Sequence, residues 1–216
     1  MADPGLTGGG DPLRNRQVDA RAQLLEAASC IMRERDTLDV SLSDISAKAG
    51  LNSALVKYYF GNKVGLFDAL LERDVGPQMV QLKELVRLPI SPSRRLKIHI
   101  EALINLYFRL PYLNRLLMRL MRETDDEHAQ DIANRFVKPI TEAYAIIITE
   151  GKARGEFKDV DPELFYFNII GACDPFFSAG VVLKYCYGIE HADDALRRRY
   201  VAQTTEILMR GLLRGE

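Results

Sequence analysis

The stretch from Ser41 to Leu71 carries three helix starts and two helix stops, which restricts what this part of the chain can fold into. Ser41 followed by Asp44 is a capping pair. The hydroxyl accepts a helix-start amide while the carboxylate faces the positive end of the helix dipole. Ile45 and Ala49 continue one apolar face, and Gly50 stands where a short helix ends on a left-handed residue. Asn52 caps a brief helix from Ser53 to Tyr59, Gly61 ends it, and Asn62 caps a fourth helix containing Leu66, Phe67, Leu70 and Leu71. Two short helices joined by a tight Gly-containing turn make either a helix-turn-helix, whose second helix can lie in a DNA major groove, or an ordinary helical hairpin.

Elsewhere the apolar residues also recur at helical spacing. In a first helix, about Asn15 to Glu34, Leu24, Ala27, Ala28, Ile31 and Met32 form one stripe. Pro77 is expected to interrupt or bend the fourth helix, and Pro89 and Pro92 mark a linker. Further helices are expected over about Ser93 to Leu110, Pro111 to Arg122, Asp126 to Ala153, from Pro162 onward, and Asp193 to Leu213. Alternation of strand type never persists, so the expected class is all-α with about nine helices. Residues 1–13, rich in Gly and Pro, predict a disordered tail, with an arm reaching the minor groove through Arg14 and Arg16 as the alternative.

Charge gives no hint of a nucleic-acid partner. The net charge is −1, and the first 63 residues hold eight Lys/Arg against eight Asp/Glu. A DNA-binding reading therefore rests on the local motif, and non-specific affinity is expected to be weak. Cys30, Cys173 and Cys186 have no zinc spacing and fit a reducing compartment. No secretory signal pattern appears. The longest apolar run, Asn168 to Leu183, is broken by Asp174 and Pro175, so the expectation is a cytoplasmic protein without a membrane partner.

The longer string AGLNSALVKYYFGNKVGLF resembles the signature of the TetR family of regulators. Ala49, Gly50, Leu51, Asn52, Val56, Tyr58, Phe60, Lys63 and Leu66 stand in matching places. The likeness is specific over about Arg21 to Leu71 and continues weakly in EGKARGEFKDVDPELF. It implies an amino-terminal three-helix helix-turn-helix domain over 14–74, with the motif at about 41–60, and a larger ligand-binding and dimerisation domain over 75–216. It also implies a ligand-released repressor binding a double-stranded, palindromic operator as a homodimer. The residues it implies at the DNA are Asn52, Ser53, Ala54, Lys57, Tyr58 and Lys63. Asn52 and Ser53 suit phosphates or base edges, Ala54 a thymine methyl, and Lys57 guanine or phosphate. Tyr58 suits a phosphate and a sugar, and Lys63 a phosphate at an amide-rich helix start. Leu55 and Lys57 depart from the common pattern, the first where a small polar residue is usual and the second where an aromatic is. Tyr59 is expected on the core side.

The eighth helix, DPELFYFNIIGACDPFFSAGVVL, has apolar residues on every side, so it is expected to be buried on every side, partly by its own core and partly by a second chain. With the ninth helix (Leu196, Tyr200, Thr204, Ile207, Leu208, Leu212) it resembles the pair that forms the family's dimer bundle. The resemblance also implies a pocket between the fifth to eighth helices for a small apolar or amphipathic effector. Its candidate residues are His99, Tyr107, Met121, Phe136, Tyr144 and Asn168. The wider candidate set adds Tyr112, Met118, Phe165, Phe176, Asn105 and Asp174. Arg115, Arg119 and Arg122 are expected on a solvated face. No HExxH, GxSxG, P-loop or GxGxxG is present, and no enzyme, cofactor or metal is expected. The rival reading is a helical small-molecule-binding or adaptor protein that has lost DNA binding.

Overall fold

The computed structural model describes residues 12–214, with side chains described from Asp19 onward. Residues 1–11 of the expected tail and the side chains of Arg14 and Arg16 lie outside those described residues, whereas Pro12 and Leu13, expected in the tail, begin the first helix. The elements are α1 (Pro12–Arg35), α2 (Leu42–Ala49), α3 (Ser53–Phe60), α4 (Lys63–Arg87), α5 (Pro92–Arg109), α6 (Leu113–Glu123), α7 (Asp126–Ile132), a π turn (Ala133–Val137), α8 (Lys138–Ala153), α9 (Pro162–Ser178), α10 (Gly180–Tyr187) and α11 (Asp194–Leu212). Among the described residues the one β feature is an isolated antiparallel bridge, Phe157 to Leu213, which ties the turn after α8 to the end of α11.

The fold is all-α, as the periodicity predicts, but three elements differ from the sequence reading. α4 runs through Pro77 without a break and so continues past residue 74. The expected seventh helix contains a π turn, which shifts the register of α8 relative to α7. The expected eighth helix divides at Ala179, whose φ of −101° and ψ of 45° are not helical, and α10 departs from α9 at 64°. Apolar periodicity cannot reveal such a corner, because the residues on both sides of it are equally apolar. No single helix among the described residues is long and apolar enough to cross a membrane.

One apolar core extends through the molecule. Leu24, Ala28, Ile31 and Met32 of α1 pack with Val40, Ile45, Val56 and Leu66, and the same cluster continues through Leu70 and Leu71 of α4 to Ile100, Leu116, Tyr144 and Ile169. α4 is thus the shared element: its first turns belong to the core under α3, and its later turns to the larger helical body. Buried apolar area of this kind stabilises by about 25 cal/mol per Å².

α9 is not buried all round in the single chain. Phe165, Tyr166, Ile169, Cys173 and Phe177 face the core, whereas Leu164 and Phe167 remain 64% and 69% exposed. On α11, Ile207 is 61% exposed. α10 adds Val181, Val182, Tyr185 and Tyr187 to the exposed apolar surface.

Candidate nucleic-acid interface and buried cavity

The caps read from the sequence set the geometry of α2 to α4. Ser41 Oγ accepts from Asp44 N at 2.9 Å, and Asp44 Oδ2 accepts from Ser41 N at 3.3 Å, which is a full capping box. Hydrogen bonding to Ser41 holds the Asp44 carboxyl below its ordinary range. Gly50 closes α2 at φ 67°, a conformation in which a side chain is strained. Asn52 Oδ1 then accepts from Ala54 N at 2.8 Å, and Asn62 Oδ1 from Gly65 N at 3.0 Å. The turn between α3 and α4 is tight. A Cβ placed on Gly65 would sit 2.2 Å from the Phe60 carbonyl oxygen.

This framework leaves one face of α3 in solvent. Asn52, Ser53, Ala54, Lys57 and Tyr58 are all exposed, Tyr58 at 70%, while Val56 is buried. Leu55 and Tyr59 are half-buried and pack on the core, so the Leu55 departure serves packing. Asn52 spends its side-chain oxygen on the cap, which leaves its amide N–H groups as the donors available to a partner. Lys63 is half-buried, its Nζ 5.3 Å from the centre of the Phe67 ring. Arg21 of α1, which the sequence reading did not single out, lies 5.3 Å from the Phe60 ring and joins this face. Its signal was only its position on α1, one turn before Leu24 and in line with the apolar stripe.

The balanced charge of this region dissolves once partners are assigned. Glu26 pairs with Arg33 and Arg73, Glu34 with Lys48, Asp36 with Arg115, Asp39 with Arg119, and Asp44 with Arg35. Among the described residues no carboxylate pairs with Arg21, Lys57 or Lys63. These five acids are turned to other partners, and among the described residues Arg21, Lys57 and Lys63 remain around α3.

Arg115 and Arg119 are therefore not simply a solvated stripe. Both reach the turn between α1 and α2, where Arg119 Nη1 donates to Asp39 Oδ1 at 3.0 Å. Arg122 is exposed, as expected. Nearby, Tyr112 donates to Asp74 Oδ2 at 2.6 Å and lies 2.8 Å from Ser29 Oγ, joining the start of α6 to α4 and α1. Burial raises the Tyr112 phenol.

A second feature lies between α4, α5, α6, the π turn and α9: a cavity of about 300 Å³. His99, Tyr107 and Phe136 line it, with Tyr166 and Ile170 of α9 and Leu113, Asn114 and Leu117 of α6. The π turn places Phe136 in this wall and sends Arg135 to Asp68 and Glu72 of α4, at 2.5 and 3.2 Å. Tyr144 is fully buried beside His99, ring edge to ring face at 5.4 Å, and does not reach the cavity. Met121 is half-buried outside the lining, and Asn168 is exposed on the outer face of α9. On α9 the inner residues at this level are Tyr166, Ile169 and Ile170, which leaves Asn168 on the far side of the turn. Of the wider candidates, Tyr112, Met118, Phe165, Phe176, Asn105 and Asp174 are outside the lining, although Asn114 Nδ2 donates to Asp174 Oδ2 at 2.9 Å. Burial lowers the His99 imidazole from 6.5 to about 4 and raises the Asp174 carboxyl and the Cys173 thiol, the latter to about 12. A thiol so placed is inert as a nucleophile.

A helix-turn-helix with an exposed α3 on a helical body that encloses an apolar cavity defines a regulator architecture. The comparisons agree with it. Residues 24–70 match the tetR family of bacterial regulatory proteins, and residues 89–216 match the tetracyclin repressor-like C-terminal domain. The chain belongs to the TetR family. It is 30% identical over 89 residues to the HTH-type transcriptional regulator BetI of Rhizobium meliloti (strain 1021), a match spanning 41% of this chain and 42% of that protein. The chain thus spans about two fifths of the length of the curated relative it matches. Its fold is similar to that of a TetR/AcrR family regulator from Thermobifida fusca YX-ER1, with a TM-score of 0.65 at 23% identity, covering 91% of this chain and 100% of that one. It is also similar to NalD of Pseudomonas aeruginosa, the secondary repressor of the MexAB-OprM multidrug efflux pump, with a TM-score of 0.64 at 21% identity, covering 92% and 98%.

Proposed function

We propose that this protein is a sequence-specific DNA-binding transcriptional regulator, a repressor that acts in the cytoplasm as a homodimer on a palindromic operator and is released by a small apolar or amphipathic effector. The observation that carries the reading is the solvent face of α3. Two caps and a left-handed glycine are used to present Lys57 and a 70% exposed Tyr58, and Lys57 stands with Arg21 and Lys63 as cations that no described acid pairs with. Lys57 suits guanine or a phosphate, Lys63 a phosphate, and Tyr58 a phosphate with its ring on the sugar.

The dimer reading rests on Leu164, Phe167 and Ile207, large apolar side chains that the single chain leaves in water. Covering them by a second copy of α9 and α11 would set two recognition helices for half-sites about one DNA turn, ~34 Å, apart. The DNA-binding unit is proposed as 14–74 and the effector and dimer unit as 75–216. Selection of bound sequences from random duplex DNA, repeated over a salt series, tests the proposal. Enrichment of an inverted repeat supports it, and recovery of unrelated sequences refutes it. The rival, a helical ligand-binding protein without DNA affinity, is favoured by the equal acid and base counts of the first 63 residues, and it predicts no enrichment at any salt.

A further inference from the structure

We propose that Arg135 is a positioning residue for the DNA-reading end of the molecule. Through the ring of Phe136 it couples the cavity to the first turns of α4, so that filling the cavity changes how firmly α4 and the attached α3 are held. This rests on reading the cavity as an effector site and α3 as the DNA-contacting helix, and it specifies how the one regulates the other.

The two ends of the link are adjacent residues. Phe136 is 3% exposed and forms part of the cavity wall. The Arg135 guanidinium carbon lies 4.8 Å from the centre of the Phe136 ring, within range of a cation–π contact. Consecutive residues of a regular α-helix do not face each other. Here both stand in the π turn, the one stretch with that winding among the described residues. Such turns are rare and recur at functional sites. The ring that meets the cavity is thus also the surface on which the guanidinium rests.

From there Arg135 grips α4. Its Nη2 pairs with Asp68 Oδ1 at 2.5 Å and its Nη1 with Glu72 Oε2 at 3.2 Å, while Nε stands 2.9 Å from Asp131 Oδ2. Asp68 and Glu72 are one turn apart on one face of α4. Asp68 follows closely on Gly65, where α4 crowds the Phe60 carbonyl at the end of α3. Among the described residues, Arg135 is the one ionic partner that the chain beyond α4 gives to α4. The other polar ties from that part of the chain, Tyr112 to Asp74 and Arg95 to the Val86 carbonyl, lie further from α3.

α4 touches the cavity itself, but only from Leu71 onward; residues 63–70 contribute nothing to the lining. The link through Arg135 reaches those first turns. A planar guanidinium fork holds two carboxylates only in a narrow range of orientations, so an occupant that displaces Phe136 disturbs both pairs. The pairs are partly exposed, which makes them a hold that can be loosened at modest cost.

The test is amide hydrogen exchange over 63–72 in the full chain without DNA, with the cavity filled from α9 by Ile170→Trp. Filling is expected to speed exchange there by about two- to fivefold, the factor that weakening a partly exposed ion pair allows. In Arg135→Met exchange is expected to be fast already and to be unchanged by adding Ile170→Trp. Arg135→Lys, which keeps the charge without the planar fork, is expected to retain part of the response. Phe136→Leu removes the resting surface and should reproduce the rise, again only where Arg135 is present, which decides the matter if Ile170→Trp folds poorly. A response of equal size with and without Arg135 overturns the proposal and assigns the coupling to Leu71 and Val75 of α4. No response in the chain that keeps Arg135 overturns it as well. DNA titration is carried out separately. Absence of DNA binding with the Arg135-dependent response intact overturns the regulator reading alone, and DNA binding with an Arg135-independent response overturns this inference alone.

Discussion

Arg115 and Asp36 join α6 to the turn after α1: Arg115 Nη2 donates to Asp36 Oδ1 at 2.5 Å and Nη1 to the Asp36 carbonyl at 3.3 Å. Asp36 holds φ at 46°, the one non-glycine residue with positive φ among those described. The same helix presents Leu113, Asn114 and Leu117 to the cavity. One element thus touches the cavity on one side and the approach to the helix-turn-helix on the other.

Because the pair is partly exposed, Arg115→Ala is expected to destabilise the fold by only about 0.5–1 kcal/mol. A double-mutant cycle with Asp36→Ala in urea unfolding checks it. A coupling energy of that size is expected, and a value indistinguishable from zero would make the contact incidental.

Gly65 controls where α3 lies. Its absent Cβ makes room for the Phe60 carbonyl, a backbone atom that cannot swing aside. Gly65→Ala is expected to destabilise by roughly 1–3 kcal/mol through overpacking and to weaken DNA binding beyond that, because the end of α3 must move. Thermal unfolding and DNA titration on the same preparation check this, and an alanine variant with unchanged stability and affinity would contradict it.

The legible parts of this fold were those fixed by local chemistry. Ser41, Asp44, Gly50, Asn52 and Asn62 each act on backbone groups within a few residues, so the ends of α2 and α3 and the start of α4 fall within a residue of their expected places. What the sequence could not disclose depends on partners distant in the chain. Arg115 and Arg119 find Asp36 and Asp39, some 80 residues away. Arg135 reaches Asp68 because a π turn re-aims it, and no residue pattern marked that turn. Asn168 was plausible in a pocket only while the facing of α9 was unknown, and Met121 only while that of α6 was.

Stability is expected to fall on acidification through a single imidazole. Burial places His99 at about 4, below the ordinary 6.5, so the unfolded chain takes up the proton first. Above about pH 6.5 the group is neutral in both states and contributes no pH dependence. As pH falls from 6.5 towards 4 the loss grows to roughly 3 kcal/mol. Chemical unfolding of the unmodified protein and His99→Gln at several pH values isolates it, since the paired carboxylates are common to both. Parallel profiles over this window would contradict the assignment.

Phe167 is expected to lie at a subunit contact. Phe167→Asp should convert a species near twice 24.4 kDa in sedimentation to one near 24.4 kDa, with helical content preserved. A monomeric unmodified protein at micromolar concentration, or an unaltered dimer in the variant, would refute the interface.

The central claim is that α3 reads DNA, and titration of its selected duplex with Lys57→Ala and Tyr58→Phe tests it most directly. If Lys57 reads a guanine, its loss is expected to cost about 1–3 kcal/mol at one base position and relax specificity there. If it holds a phosphate, the loss is uniform across sequences and the salt slope falls by about one. Tyr58→Phe is expected to weaken all sites alike and leave the salt slope nearly unchanged. Unaltered affinity in both variants, with folding and dimerisation intact, would contradict the account.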